Sequence, residues 1–244
     1  MNSKCKQILS ITLKEHWEDI TLSLILLVAL AVRVYGISYG LPYVGYHPDE
    51  YAVSDDALMM IQRGDWEPSA RISLSVHVQF LAGQIALLYR SWRGNPISLE
   101  KITVYKDNAP QLGVGLPTDF PEFHLWGRLA VALIGTLTIL MLYILGKGVA
   151  SREAGLLAAA FLSFSPLHAY DSHFITTAVP GTFLILLAAC IIILAYKRSQ
   201  WWLYLLALPV AVLAIYAKQN GRIVLVPLSL APALLQVPLS FPLK

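Results

Sequence analysis

ISLSVHVQFLAGQIALLYRSW, residues 72–92, is the stretch on which the fold turns. A helix needs about 20 apolar residues to cross a hydrocarbon core about 30 Å thick. This stretch nearly reaches that length, yet it carries His77, Gln79, Gln84 and Arg90. Leu74, Val78, Leu81, Ile85 and Leu88 recur at helical spacing on one face, which fits a helix lying in the membrane interface better than one immersed in lipid. Its opening, ISLSVHVQF, also alternates, so a strand stays open.

The rest of the topology follows from that choice. If 72–92 does not span, residues 38–125 form one long outer loop, and the turns holding Lys147 with Arg152 and Lys197 with Arg198 face the cytoplasm, as the positive-inside rule prefers. If it spans, those turns move outside while Lys218 and Arg222 move in. The first arrangement is the expected one.

Composition fixes the solvent. Of 244 residues, 57% are hydrophobic and 14% charged, with a mean hydropathy of +0.61, far from an ordinary soluble domain. Apolar segments at 19–37, 126–146, 153–169, 175–196, 201–217 and 222–238 are the expected spans. The expectation is an all-α polytopic membrane protein of about six transmembrane helices, whose long first extracytoplasmic loop carries membrane-parallel helices. It divides into a cytoplasmic segment 1–18, a first transmembrane helix 19–37, the loop 38–125 and a helical bundle 126–244. Lys4, Lys6 and Lys14 precede the first span and no small-residue cleavage pattern follows it, so an uncleaved anchor with a cytoplasmic amino terminus is expected.

Several function classes fall away. The excess of 18 basic over 15 acidic residues includes no Lys/Arg-rich run with interleaved aromatics, so nucleic acid is not an expected partner. Cys5 and Cys190 make neither a disulfide framework nor a CxxC metal site. The GVG at 113–115 lacks the strand and helix context of a nucleotide-phosphate loop, which argues against a nucleotide donor. Inverted repeats and paired interrupted helices, the marks of a transporter, are not evident.

Ionisable residues from four distant pieces of sequence converge on one membrane face in this topology. They are Arg33 near the end of the first span, Asp49 and Glu50 of HPDE, SPLHAYDSHFITT (165–177) with His168, Asp171 and His173, and AKQNGR (217–222) with Lys218 and Arg222. Charged groups at that depth are costly unless they pair or line a wet cavity, which makes a site the default reading. Each piece also has a plainer one. Lys218 and Arg222 can snorkel to headgroups, Arg33 can neutralise a loop acid, and His168 and His173 can bond to backbone. Asp55 and Asp56 read as solvated positions on a helix, and Asp65 with Glu67 as a turn.

The order of these pieces resembles a known family. A first span ending in Arg, a Gly/Pro loop and HPDEYAVSDDALMMIQRGDW (47–66) resemble the opening of the GT-C membrane glycosyltransferases of family 39, which include the protein O-mannosyltransferases and the bacterial aminoarabinose transferase acting on lipid A. Residues 123–174, with their Ser-Pro step, are similar to that family's second and third spans, and LAIYAKQNGRIVLVPLSL (213–230) to its Lys-x-Asn-Gly step.

The resemblance implies a polyprenyl-phosphate sugar as donor and transfer with inversion to an acceptor, at the outer face of a bacterial or archaeal plasma membrane. Asp49 corresponds to the family's essential loop acid, as base or as ligand of a divalent metal, with Glu50 as second candidate. Lys218, Arg222 and His173 would face the departing phosphate, joined by Arg71, and Arg33, Asp171 and His168 would support them. Two departures stand out. Ala178 occupies a position where many relatives carry an acid, with Asp171 as a possible substitute. Relatives also continue with further spans and often a soluble domain, so an acceptor-binding half is expected to be missing from these residues. These departures motivate a second expectation, a non-catalytic subunit of a larger membrane complex.

Overall fold

The computed structural model describes residues 3–68, 73–102 and 116–234. Among them, α1 is Ser3–Val34, α2 Pro48–Arg63 and α3 Leu74–Trp92, followed by α4 Pro121–Val149, α5 Arg152–Ser163 and α6 Pro166–Asp171. The remaining helices are α7 Ala178–Arg198, α8 Trp202–Ala217 and α9 Leu225–Leu234. Two short strands, β1 Tyr43–Val44 and β2 Leu116–Pro117, pair antiparallel and tie the ends of the 45–115 region together. The architecture is that of an all-α membrane protein.

Within the 72–92 stretch, Leu74–Trp92 is a helix, not a strand. Ser73 caps it by accepting the Ser75 N–H at 3.3 Å. Its buried side carries Ser75, Val76, Gln79, Phe80 and Ala86, packed between α2 and α4. The apolar stripe of Leu81, Ile85 and Leu88 points away from the protein. α3 is not among the helices apolar and long enough to cross a membrane.

Two described helices meet that condition, α4 with 29 residues and α7 with 21. At 1.5 Å per residue they reach about 43 Å and about 31 Å. α8 is apolar but has 16 residues, with Pro209 inside it. The segment expected as one span over 153–169 is two helices. α5 ends after 12 residues and the chain turns at Phe164 and Ser165, because Pro166 cannot continue the helix and biases the residue before it toward extended backbone. The segment expected over 222–238 begins in a tight 3-10 turn, Gln219–Val224, before α9.

Small residues let the long helices approach. A Cβ on Gly146 of α4 would meet the Gly155 Cα of α5 at 2.8 Å, and one on Gly155 would meet the Tyr143 carbonyl at 2.6 Å. Ala188 and Ala195 of α7 and Ala207, Ala211 and Ala214 of α8 are buried where those helices pack. A separate core joins Val53, Ala57 and Met60 of α2 to Val76 and Phe80 of α3 and to Phe120, Phe123 and Ile175. That core seats α2 on the bundle, and it corrects one expectation. Asp55 and Asp56 are buried, at 8% and 3% exposure, rather than solvated, because α2 is covered by α3 and by the chain leading into α4. Asp65 does lie in a turn, 2.9 Å from Arg63.

At the opposite end of the bundle Glu18 of α1 takes hydrogen bonds from the Tyr143 hydroxyl and the Lys147 ammonium of α4, and Arg152 Nε lies 3.2 Å from its Oε2. The Lys147 ammonium, helped by Tyr143, holds the Glu18 carboxyl below its ordinary range.

Candidate active site

α2 begins with Pro48 at its first position, where the missing N–H costs nothing, and His47 Nδ1 accepts the Asp49 N–H at 3.2 Å. This start places Asp49 and Glu50 in the first turn, where the helix dipole favours carboxylates. Adjacent side chains on a helix point about 100° apart, and these two go to different places.

Asp49 is half-buried at the start of α7. Its Oδ2 accepts the Thr177 hydroxyl at 3.0 Å and the Thr177 N–H at 3.4 Å. Asp171 approaches from α6, with Oδ1 3.9 Å from His47 Nε2. His47 in turn stacks on Phe174 at 5.5 Å. One helical turn beyond Thr177, Gly181 lies against Lys218, whose Cβ would be 3.3 Å from an added Cβ. The amino end of α7 therefore carries Asp49 on one turn and the Lys218 backbone on the next. Lys218 and Arg222, in the tight turn after α8, are exposed and make no ion pair among the described residues. Ser73 Oγ donates to the Ala217 carbonyl at 3.2 Å, which brings the start of α3 to the same junction.

Glu50 is fully buried. Arg128 of α4 grips both of its oxygens, Nε to Oε1 at 2.6 Å and Nη2 to Oε2 at 2.8 Å, and Nη1 donates to the carbonyls of Ile37 and Tyr39 at 2.8 and 2.7 Å. The Phe174 ring covers the guanidinium at 5.0 Å. A buried pair survives desolvation only when its remaining donors and acceptors are met, as these are. Glu50 thus braces the first turn of α2, which carries Asp49, and both of its oxygens are taken by Arg128.

The supporting residues are placed differently from one another. Arg33 is fully buried and makes no ion pair with an acid among the described residues. It donates to the Ala29 carbonyl at 2.9 Å, to those of Leu162 and Ser163 at 3.4 and 3.5 Å, and meets His168 Nδ1 at 2.9 Å. Its charge sits on the carbonyl end of α5, where a cation complements the helix dipole. The reading of Arg33 as the neutraliser of a loop acid is therefore replaced. His173 follows its plainer reading, with Nδ1 2.7 Å from the Ala169 carbonyl and Nε2 2.8 Å from the Tyr35 carbonyl, so it ties α6 to the chain leaving α1. Arg71 lies outside the described residues.

Three contributors escaped sequence reasoning: Arg128, Thr177 and His47. Arg128 carried a usable signal, an arginine inside the run LWGRLAVAL, since a charge within an apolar segment implies a partner. Around Asp49 the donor set does not make a metal cage: no group of three or more His, Cys, Asp or Glu side chains suited to a metal occurs among the described residues.

Residues 121–240 match the sequence model of the dolichyl-phosphate-mannose-protein mannosyltransferase family. No curated protein and no solved structure matches the chain. The matched segment runs from α4 through α9 and includes Arg128, Asp171, Thr177, Lys218 and Arg222, while Asp49 and Glu50 lie before it. Over that segment, just under half of its length, the chain is similar to this membrane mannosyltransferase family.

Proposed function

We propose that this chain is a membrane glycosyltransferase that moves a sugar from a polyprenyl-phosphate donor to an acceptor at the extracytoplasmic face, with its amino terminus in the cytoplasm. The observation that carries the reading is the Asp49 carboxylate, half-exposed and fixed by Thr177 at the amino end of α7, one turn from the segment holding Lys218. The family match over the elements that build this end supports it.

In the proposed reaction an acceptor hydroxyl attacks the anomeric carbon as Asp49 takes its proton. The bond from that carbon to the phosphate oxygen breaks, configuration inverts, and the polyprenyl phosphate leaves with the electron pair. Lys218 and Arg222 stabilise the charge gathering on the phosphate, with Arg71 as a further cation. Thr177 and His47 aim the carboxylate, and Glu50 with Arg128 holds the loop in place. His173, Arg33, His168 and Asp171 shape the surrounding turn.

The test is transfer from a polyprenyl-phosphate sugar by the full chain in lipid nanodiscs. Asp49→Asn should lower transfer about 10²- to 10⁴-fold while leaving the thermal unfolding temperature unchanged. Wild-type turnover at an unaltered rate in that variant would remove Asp49 from the role.

A second reading, a non-catalytic subunit packed in a larger membrane complex, draws on one observation. The first residue of α7, beside Asp49, is Ala178 where the resembled family places an acid. It predicts no turnover by the wild type and stable copurification with partner chains. Turnover by the isolated chain would exclude it.

A further inference from the structure

α4 presents a second face, turned away from Asp49. Residues 128 and 130 lie about 200° apart around a helix, so while Arg128 points inward to Glu50, Ala130 and its neighbours point outward. There Leu129 and Leu133 of α4, Leu81 and Ile85 of α3, and Leu30 and Val34 of α1 wall a groove of about 480 Å³ that is almost wholly apolar. At the carboxyl end of α3 it meets a second cleft of about 490 Å³, lined by Tyr89, Arg90, Arg93, Asn95 and Glu122. Trp126 and Leu129 line both, so the apolar groove and the polar cleft adjoin, with the polar one at the head.

The charge at the head is specific. Arg90 Nη1 donates to Glu122 Oε2 at 2.9 Å, so that pair is neutral. Arg93 is exposed, with its guanidinium 6.0 Å from the Tyr89 ring centre and no ion pair among the described residues. The cleft therefore keeps one net positive charge. Trp92 beside it is 80% exposed and Tyr89 40%, the aromatic signature of headgroup depth. An occupant must be long and apolar at one end and anionic at the other.

We propose that this face binds one bilayer lipid with an anionic phosphate headgroup, its acyl chain in the groove and its phosphate on Arg93. The site is distinct from the proposed donor phosphate position. Ser73, at the start of α3, bonds to the end of α8 next to Lys218, and Arg93 follows the other end of the same helix, about 30 Å away along its axis.

The experiment is native mass spectrometry of the detergent-purified full chain, titrated with phosphatidylglycerol and with phosphatidylcholine of identical acyl chains. One phosphatidylglycerol should bind about fivefold more tightly than phosphatidylcholine, the preference one cation near a headgroup gives. Arg93→Ala should reduce that to no preference, and being exposed it should not disturb folding. Ala130→Trp, which fills the groove, should weaken both lipids alike. Equal binding of the two lipids to the wild type would overturn the proposal. So would a preference that survives Arg93→Ala, or one that disappears instead in the Lys218→Ala, Arg222→Ala double variant. Displacement of phosphatidylglycerol by millimolar inorganic phosphate would also overturn it, in favour of a free-anion site.

Discussion

The two ends of the bundle each hold a glutamate against basic residues of α4, and they do so in opposite ways. Glu50 and Arg128 are both fully excluded from solvent, and every nitrogen of the guanidinium donates at least one hydrogen bond. Glu18, at the other end, shares Lys147 and Arg152, whose side chains are 43% and 62% exposed. Burial makes the first pair a fixed brace, because either partner left alone would be an uncompensated charge. Water makes the second a tether that ions and solvent can replace. Rigidity is thus concentrated at the end where Asp49 must be aimed.

The sharpest way to break this contrast is Arg128→Ala. It should destabilise the protein by about 3–5 kcal/mol and abolish transfer, read by thermal unfolding in detergent together with the nanodisc assay. A loss no larger than that of Glu18→Gln would mean that the two ends are equivalent. Next in size, Asp49→Asn should lower transfer about 10²- to 10⁴-fold, the span of a general base, with stability kept. That result separates the aimed carboxylate from its buried neighbour. Thr177→Val, which removes the hydroxyl on Asp49 and preserves shape, should lower transfer by about tenfold, the worth of one modest hydrogen bond to a charged group. An unchanged rate would show that Asp49 is held by other means.

The smallest effect is expected at the far end. Because its partners depress the Glu18 carboxyl, its contribution to stability is present above the unfolded glutamate value of 4.5 and is lost as pH falls through the lowered folded value. Glu18→Gln should therefore lower the unfolding temperature slightly near neutral pH, and the difference from wild type should shrink as pH falls below 4.5.

The parts of the fold that rest on local pattern were legible in the sequence. Pro48 after His47, carboxylates in the first turn and Gly64 at the close mark α2 from end to end, and Gly64 does adopt the left-handed conformation, with φ 72°. The apolar runs of α4 and α7 read as helices of spanning length. What local pattern does not hold is partnership across distance. Glu50 and Arg128 are 78 residues apart, and nothing in periodicity distinguishes Glu50 from Asp49, its neighbour in the same turn. The acids at 55 and 56 were misplaced for the same reason: only the packing of α3 over α2 reveals which side of α2 is covered. The Ser165–Pro166 step was visible, but its power to end α5 was outweighed by the apolar run on which it sits.

Gly127 of α4 couples sequence drift on α4 to that on α3. Gln79 of α3 donates to the Phe123 carbonyl at 3.0 Å, and its Oε1 would lie 1.7 Å from any Cβ added at position 127. Alanine at 127 therefore requires the end of the Gln79 side chain to swing away and Ile175 Cδ1, 2.8 Å from the added atom, to give as well. The two positions are thus coupled, and a side chain at 127 is easier to accept where residue 79 has shortened, so among diverging descendants changes at 79 and 127 should tend to occur together.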